Sequence, residues 1–143
     1  MAETWEFLKR IRLTRDGIRR VLGDRESSIM EVLWGREDVA VREIHRELSR
    51  EEDIAYTTVM TITGRLHDKG LLTRRKEGRA YLYTPVETRA SFFRRCLDRI
   101  FEAFLPDMDE AALSRFVDSM AREQPDLLED LEEMLRERRE EEE

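Results

Sequence analysis

Residues 55–70 read AYTTVMTITGRLHDKG and residues 71–85 read LLTRRKEGRAYLYTP, and the apolar pattern changes period where the two meet. In the first stretch Val59, Ile62 and Leu66 recur at the spacing of one helix face. This predicts a helix from Tyr56 or Thr57 to Lys69, with Gly70 ending it in a left-handed conformation. In the second, Leu72 and Arg74 alternate with Thr73 and Arg75, and after Glu77–Gly78 the alternation resumes through Tyr81, Leu82, Tyr83 and Thr84. Two short alternating runs about a glycine predict a β-hairpin that turns at Glu77–Gly78.

Upstream, Asp24 is a good N-cap for a helix whose Ile29, Met30, Leu33 and Trp34 fall at helical spacing, with Gly35 stopping the run. After Val39–Ala40 a second helix carries Val41, Ile44 and Leu48 on one face, and the charged run Arg50 to Asp53 ends it. Three helices followed by a β-hairpin is the plan of a winged helix-turn-helix. In that plan the third helix enters the DNA major groove and the hairpin lies along the backbone.

Downstream, Thr84–Pro85–Val86–Glu87 has the form of a capping box with proline at the first helical position. The long helix it launches carries Ala90, Phe93, Leu97, Ile100, Phe101 and Phe104 on one side, and Pro106 closes it. Asp107 to Glu110 offers a further start, before Leu113, Phe116, Val117 and Met120. Pro125–Asp126 opens a last helix with Leu127, Leu128, Leu131, Met134 and Leu135, and its charged tail from Arg138 to Glu143 is expected to fray. These faces hold more apolar surface than three short helices bury among themselves, which predicts a second chain. The expected dimerisation residues are Phe93, Leu97, Ile100, Phe101, Phe104, Leu113, Phe116, Val117, Met120, Leu131 and Leu135.

The fold class expected is therefore mainly α with a small β-hairpin wing: a winged helix-turn-helix over 22–85 and a helical dimerisation domain over 86–143. Residues 1–21, with Trp5, Leu8 and Ile11 as one short apolar stripe, are read as an N-terminal arm.

The 143 residues carry a net charge of −7, with 41 % charged and 40 % hydrophobic residues. Residues 1–85 hold 17 Lys+Arg against 15 Asp+Glu, a net of +2, and residues 86–143 hold 9 against 18, a net of −9. Within Ile54 to Thr84 the balance is 6 against 2, a net of +4. A basic segment inside an acidic chain is an electrostatic footprint for a polyanion. No apolar run approaches the roughly 18 residues of a membrane span, and Met1 to Arg10 lacks the apolar stretch of a secretory signal. The lone Cys96 excludes an internal disulfide and a multi-cysteine metal site, and points to a reducing, cytoplasmic compartment. His45 and His67 sit in different expected helices without a third ligand, so no metal and no cofactor is expected. No phosphate loop, nucleophile elbow or His-Glu zinc motif marks an enzyme.

Thr57, Thr58, Thr61 and Arg65 fall opposite the apolar stripe of the third helix. Threonine hydroxyls suit phosphates and base edges, their methyls suit the thymine methyl, and Arg65 reaches phosphate or guanine. Tyr56 and Thr57 lie at the helix N-terminus, where free N–H groups favour a phosphate. The hairpin adds Arg74, Arg75, Lys76 and Arg79.

The stretch Ala55 to Leu66, the Lys69–Gly70–Leu71 that follows, and the wing from Arg74 to Pro85 resemble the penicillinase-repressor family. This is the BlaI/MecI group, with the copper-responsive CopY repressors as relatives. Leu22–Gly23–Asp24 and Ile29 to Trp34 resemble its first helix, and Val41 to Ile44 the start of its second. The resemblance implies a homodimeric repressor that binds a palindromic operator. It places DNA contacts at Thr57, Thr58, Thr61 and Arg65, and in the wing from Lys76 to Tyr81. Tyr56, Arg74, Lys76, Arg79 and Tyr81 complete the candidate DNA-binding set. In β-lactam-responsive members a membrane sensor protease triggers cleavage at an Asn–Phe bond. The aligned candidate here is Arg115–Phe116, which departs from the family by lacking the asparagine. The Cys-rich metal motif of CopY-type members is absent. Two other readings stay open on the residues alone: a ligand-sensing regulator of the MarR type, and a helical interaction protein that binds no operator.

Overall fold

The structure, a computed structural model, describes residues 22–143; the arm read over 1–21 lies outside the described residues. Helix α1 spans Asp24–Leu33, α2 Val41–Leu48 and α3 Tyr56–Asp68. Their apolar faces meet in one core, where Ile29, Met30, Leu33, Ile44, Val59 and Leu66 are buried to within 1 % of completely. Burying one such side chain stabilises by about 1.5–3 kcal/mol. Tertiary packing of this kind holds α3, whose threonines and glycine make it a poor helix on propensity alone.

Several boundaries differ from the sequence expectation. Asp24 is the first helical residue of α1 and not its cap: Gly23 is the N-cap, and Glu26 reaches back to its N–H at 3.4 Å. In α3 the buried residues are Val59, Thr63 and Leu66, while Ile62 is half-buried at the core edge. Thr63 enters the core because its hydroxyl donates to the Val59 carbonyl at 2.7 Å, which satisfies the buried polar group within the helix.

The hairpin pairs β2 (Leu72–Glu77) with β3 (Ala80–Pro85), and a two-residue strand β1 (Val39–Ala40) pairs with β3 on its other side, so the sheet order is β1-β3-β2. Because Glu77 pairs with Ala80, the turn is Gly78–Arg79, one residue beyond the expected Glu77–Gly78. Gly78 takes φ +62°, which a two-residue hairpin loop demands of its first residue.

The expected capping box at Thr84 to Glu87 does not form. Pro85 still belongs to β3 and the Val86 N–H donates to the Leu71 carbonyl. Helix α4 spans Arg89–Phe104 and is capped by Thr88, whose hydroxyl oxygen accepts from the Ser91 N–H at 3.1 Å and whose carbonyl accepts from Phe92. Phe92, absent from the expected stripe, is the buried residue of α4; its ring lies 5.6 Å from that of Trp34.

The chain divides into two compact units, the first ending at Asp98 and the second running Arg99–Glu143. The start of α4 thus belongs with the winged unit, held by Phe92, whereas the sequence pattern puts the boundary at 85/86. In the second unit a 3-10 turn at Leu105–Asp107 leads to α5 (Glu110–Glu123), capped by Asp109 accepting from the Ala112 N–H at 2.8 Å, and then to α6 (Pro125–Glu142). The tail expected to fray from Arg138 continues as helix to Glu142. Neither α5 nor α6 buries a residue, although Phe101, Phe104, Leu113, Phe116, Leu127, Met134 and Leu135 all lie on this unit.

Candidate nucleic-acid interface

The N-terminus of α3 is set by α2. His45 Nε2 lies 2.9 Å from the Ile54 carbonyl, just before α3, and its ring meets the Tyr56 ring edge-on at 5.6 Å. From that anchored start Thr57, Thr61 and Arg65 are exposed, and Thr58 is half-buried. The Thr61 hydroxyl donates to the Thr57 carbonyl at 2.9 Å. Its proton is committed to the helix, so it offers a methyl group and an acceptor oxygen outward.

On the hairpin, register decides which side chains share a face. Leu72, Arg74 and Lys76 stand on one face with Pro85, Tyr83 and Tyr81, their cross-strand partners. Tyr83 is buried and stacks edge-on with His67 of α3 at 6.4 Å, so this is the face toward the helix. The Arg74 guanidinium lies 4.1 Å from the Tyr81 ring centroid, a cation–π contact that holds both in place. Arg75, on the opposite face, is paired with Asp38 at 2.9 Å. The hydrogen bond to Asp38, then its charge, hold the Arg75 guanidinium above its usual pKa. Arg79 stands at the tip of the turn.

Between α3 and the hairpin runs a groove of about 550 Å³, lined among others by Arg42, Tyr56, Met60, Glu77, Arg79 and Tyr81. Sequence reasoning missed Met60 and Arg42. Met60 lies off the Val59–Ile62–Leu66 stripe and is 47 % exposed, a signal the periodicity already held. Arg42 is the second residue of α2, and only the packing of α2 beside β3 brings it here. Arg42, Arg65, Lys76 and Arg79 make no ion pair among the described residues, so their charge is available to an anion. The structure thus places Tyr56, Arg79 and Tyr81 around one groove, Thr57, Thr61 and Arg65 on the helix beside it, and Arg74 and Lys76 on the adjoining hairpin face. Among the described residues no His/Cys/Asp/Glu cluster has the makings of a metal site, and no helix is long and apolar enough to cross a membrane.

Three helices, a hairpin whose inner face packs on the third helix, and exposed threonines beside cations that make no ion pair among the described residues define a winged helix-turn-helix protein. The penicillinase repressor family model matches residues 22–137, and the chain belongs to that family. The transcriptional regulator BlaI of Mycobacterium tuberculosis is 38 % identical over 109 residues, which is 75 % of this chain and 79 % of that protein. The penicillinase repressor of Bacillus licheniformis is 36 % identical over 64 residues, 45 % of this chain and 50 % of that one. The solution structure of the DNA-binding domain of the repressor BlaI matches at 33 % identity with a TM-score of 0.44, covering 48 % of this chain and 84 % of that chain.

Proposed function

We propose that the chain is a homodimeric transcriptional repressor whose two winged units bind the half-sites of a palindromic operator. The observation that carries the reading is the exposed Thr57/Thr61/Arg65 side of α3 lying beside a hairpin whose Lys76 and Arg79 make no ion pair among the described residues. Threonines and Arg65 read the major groove, while the wing cations hold phosphates beside it. Tyr56 borders the same groove, and Arg74, steadied on Tyr81, adds charge to the wing. The apolar residues left exposed on α4, α5 and α6 supply the face for a second copy. On the second unit they include Ile100, Phe101, Phe104, Leu113, Phe116 and Leu135, with Val117, Met120 and Leu131 half-buried; on the first unit Phe93 is exposed and Leu97 half-buried. A sensor protease acting at Arg115–Phe116 would have to unwind α5, because that bond lies in mid-helix and the Arg115 carbonyl also accepts from the Ser119 hydroxyl at 2.9 Å.

The test is selection of bound duplexes from a randomised pool, followed by sedimentation equilibrium. The expected outcome is an inverted repeat with half-sites about 34–36 Å apart, or a multiple of that, bound by two protomers. A chain that stays monomeric at micromolar concentration and binds one half-site as tightly as the repeat would overturn it.

A further inference from the structure

Gly64 stands in the interior of α3, two turns after Thr57 and one after Thr61. Glycine is a poor residue for that place, because it loses more backbone freedom than alanine on entering a helix. Its backbone is ordinary helix, unlike Gly35, Gly70 and Gly78, whose φ angles lie between +62° and +84°. No left-handed conformation therefore demands it. A Cβ at this position would meet no atom of another described residue within 4 Å, so none of the described groups demands it either. With about 100° between successive residues, Gly64 falls on the outward arc with Met60, Thr57 and Thr61, opposite the buried Val59, Thr63 and Leu66. The next residue, Arg65, is exposed and makes no ion pair among the described residues.

We propose that Gly64 is the point of closest approach between α3 and the DNA. Its missing side chain leaves clearance for a sugar–phosphate strand to lie against the helix backbone, where Arg65 reaches the phosphate. The requirement for glycine then lies outside the chain, in the shape of the bound duplex. Any substituent on the Gly64 Cα holds the strand off by about 1.5 Å, the length of one carbon–carbon bond. A displacement of that size loosens the grip of Thr57, Thr61 and the wing together. This assignment rests on the repressor reading above.

The experiment compares the full chain with Gly64→Ala and Gly64→Leu, using the duplex that the wild-type chain enriches from a randomised pool. The melting temperature of Gly64→Ala should rise by roughly 4–8 °C, since alanine is the better helix residue and meets nothing. Its binding should weaken about tenfold, in the range that one mismatched base pair costs at a protein–DNA interface, and that of Gly64→Leu should weaken further. Unchanged affinity in both variants, with the wild type binding normally, overturns the proposal alone. A fall in the melting temperature of Gly64→Ala also overturns it, by placing the requirement inside the chain. A wild-type chain that enriches no duplex overturns the repressor reading, and this assignment with it.

Discussion

Trp34 carries a buried indole N–H without a hydrogen-bond partner among the described residues, and its ring packs on Phe92. An orphaned donor costs stability wherever it is buried. Trp34→Phe removes that donor and keeps a ring, so denaturant unfolding should show a change within about 1 kcal/mol, whereas Phe92→Ala should cost about 3–5 kcal/mol. A loss for Trp34→Phe as large as that for Phe92→Ala would show that the indole nitrogen is satisfied after all. Glu87 offers a test in pH. Burial pushes its carboxyl up, but hydrogen bonds from Arg95 at 2.9 Å and Ser91 at 2.8 Å, with the charge of Arg95, outweigh burial and hold it below its usual 4.5. A lowered carboxylate contributes stability that is present above the unfolded pKa and is lost as pH falls through the folded one. Glu87→Gln should therefore flatten the fall in melting temperature on acidification below about pH 4.5; parallel curves for the two proteins would refute the assignment. Burial also pushes the Cys96 thiol up, the opposite of what a reactive cysteine needs. On α3, Thr61→Ala should cost about 1–3 kcal/mol of discrimination between operator and mutated operator if its methyl and acceptor oxygen meet a base edge. Equal discrimination in a normally folded variant would move the reading face elsewhere.

Among the elements, the hairpin makes the sharpest separation between charges that bind and charges that pair. Lys76 and Arg79 make no ion pair among the described residues, while Arg75 on the other face is held by Asp38. Replacing Lys76 and Arg79 by alanine should shrink the salt dependence of DNA binding by roughly one logarithmic unit for each phosphate no longer neutralised. Arg75→Ala should change the slope less. Equal effects from the paired and unpaired arginines would remove the wing's inner face from the interface. The hairpin was legible because its two strands alternate over six residues each, but its turn was not. Glu77 reads as a loop residue until its pairing with Ala80 is seen. Strand β1 was invisible, since two residues show no alternation. Thr63 reads as polar, because sequence does not reveal that its own helix supplies the acceptor. Of the adjacent Phe92 and Phe93, periodicity had no means to say which one faces the core; the position of Trp34 decides it.

Across the whole molecule, the division of labour follows charge and burial. The winged unit has a buried core, while α5 and α6 leave their apolar residues in water, as a face waiting for its counterpart would. Residues 86–143 carry a net −9, which disfavours phosphates, whereas residues 1–85 carry a net +2. On the dimer reading, Phe116→Asp should break the pair and weaken operator binding steeply through loss of effective concentration, while amide exchange in α1 to α3 stays protected. Retained operator affinity in a demonstrably monomeric variant would refute this coupling. The exposed helices have a further consequence for how much repressor a cell keeps. On the dimer reading, an unmated copy displays the greasy surface that quality-control proteases and chaperones seek, whereas a mated copy hides it. Mating is a second-order event, so each halving of the total pool removes more than half of the pairs and leaves a larger fraction of copies open to clearance. Repression built this way collapses abruptly once synthesis lags behind cell division.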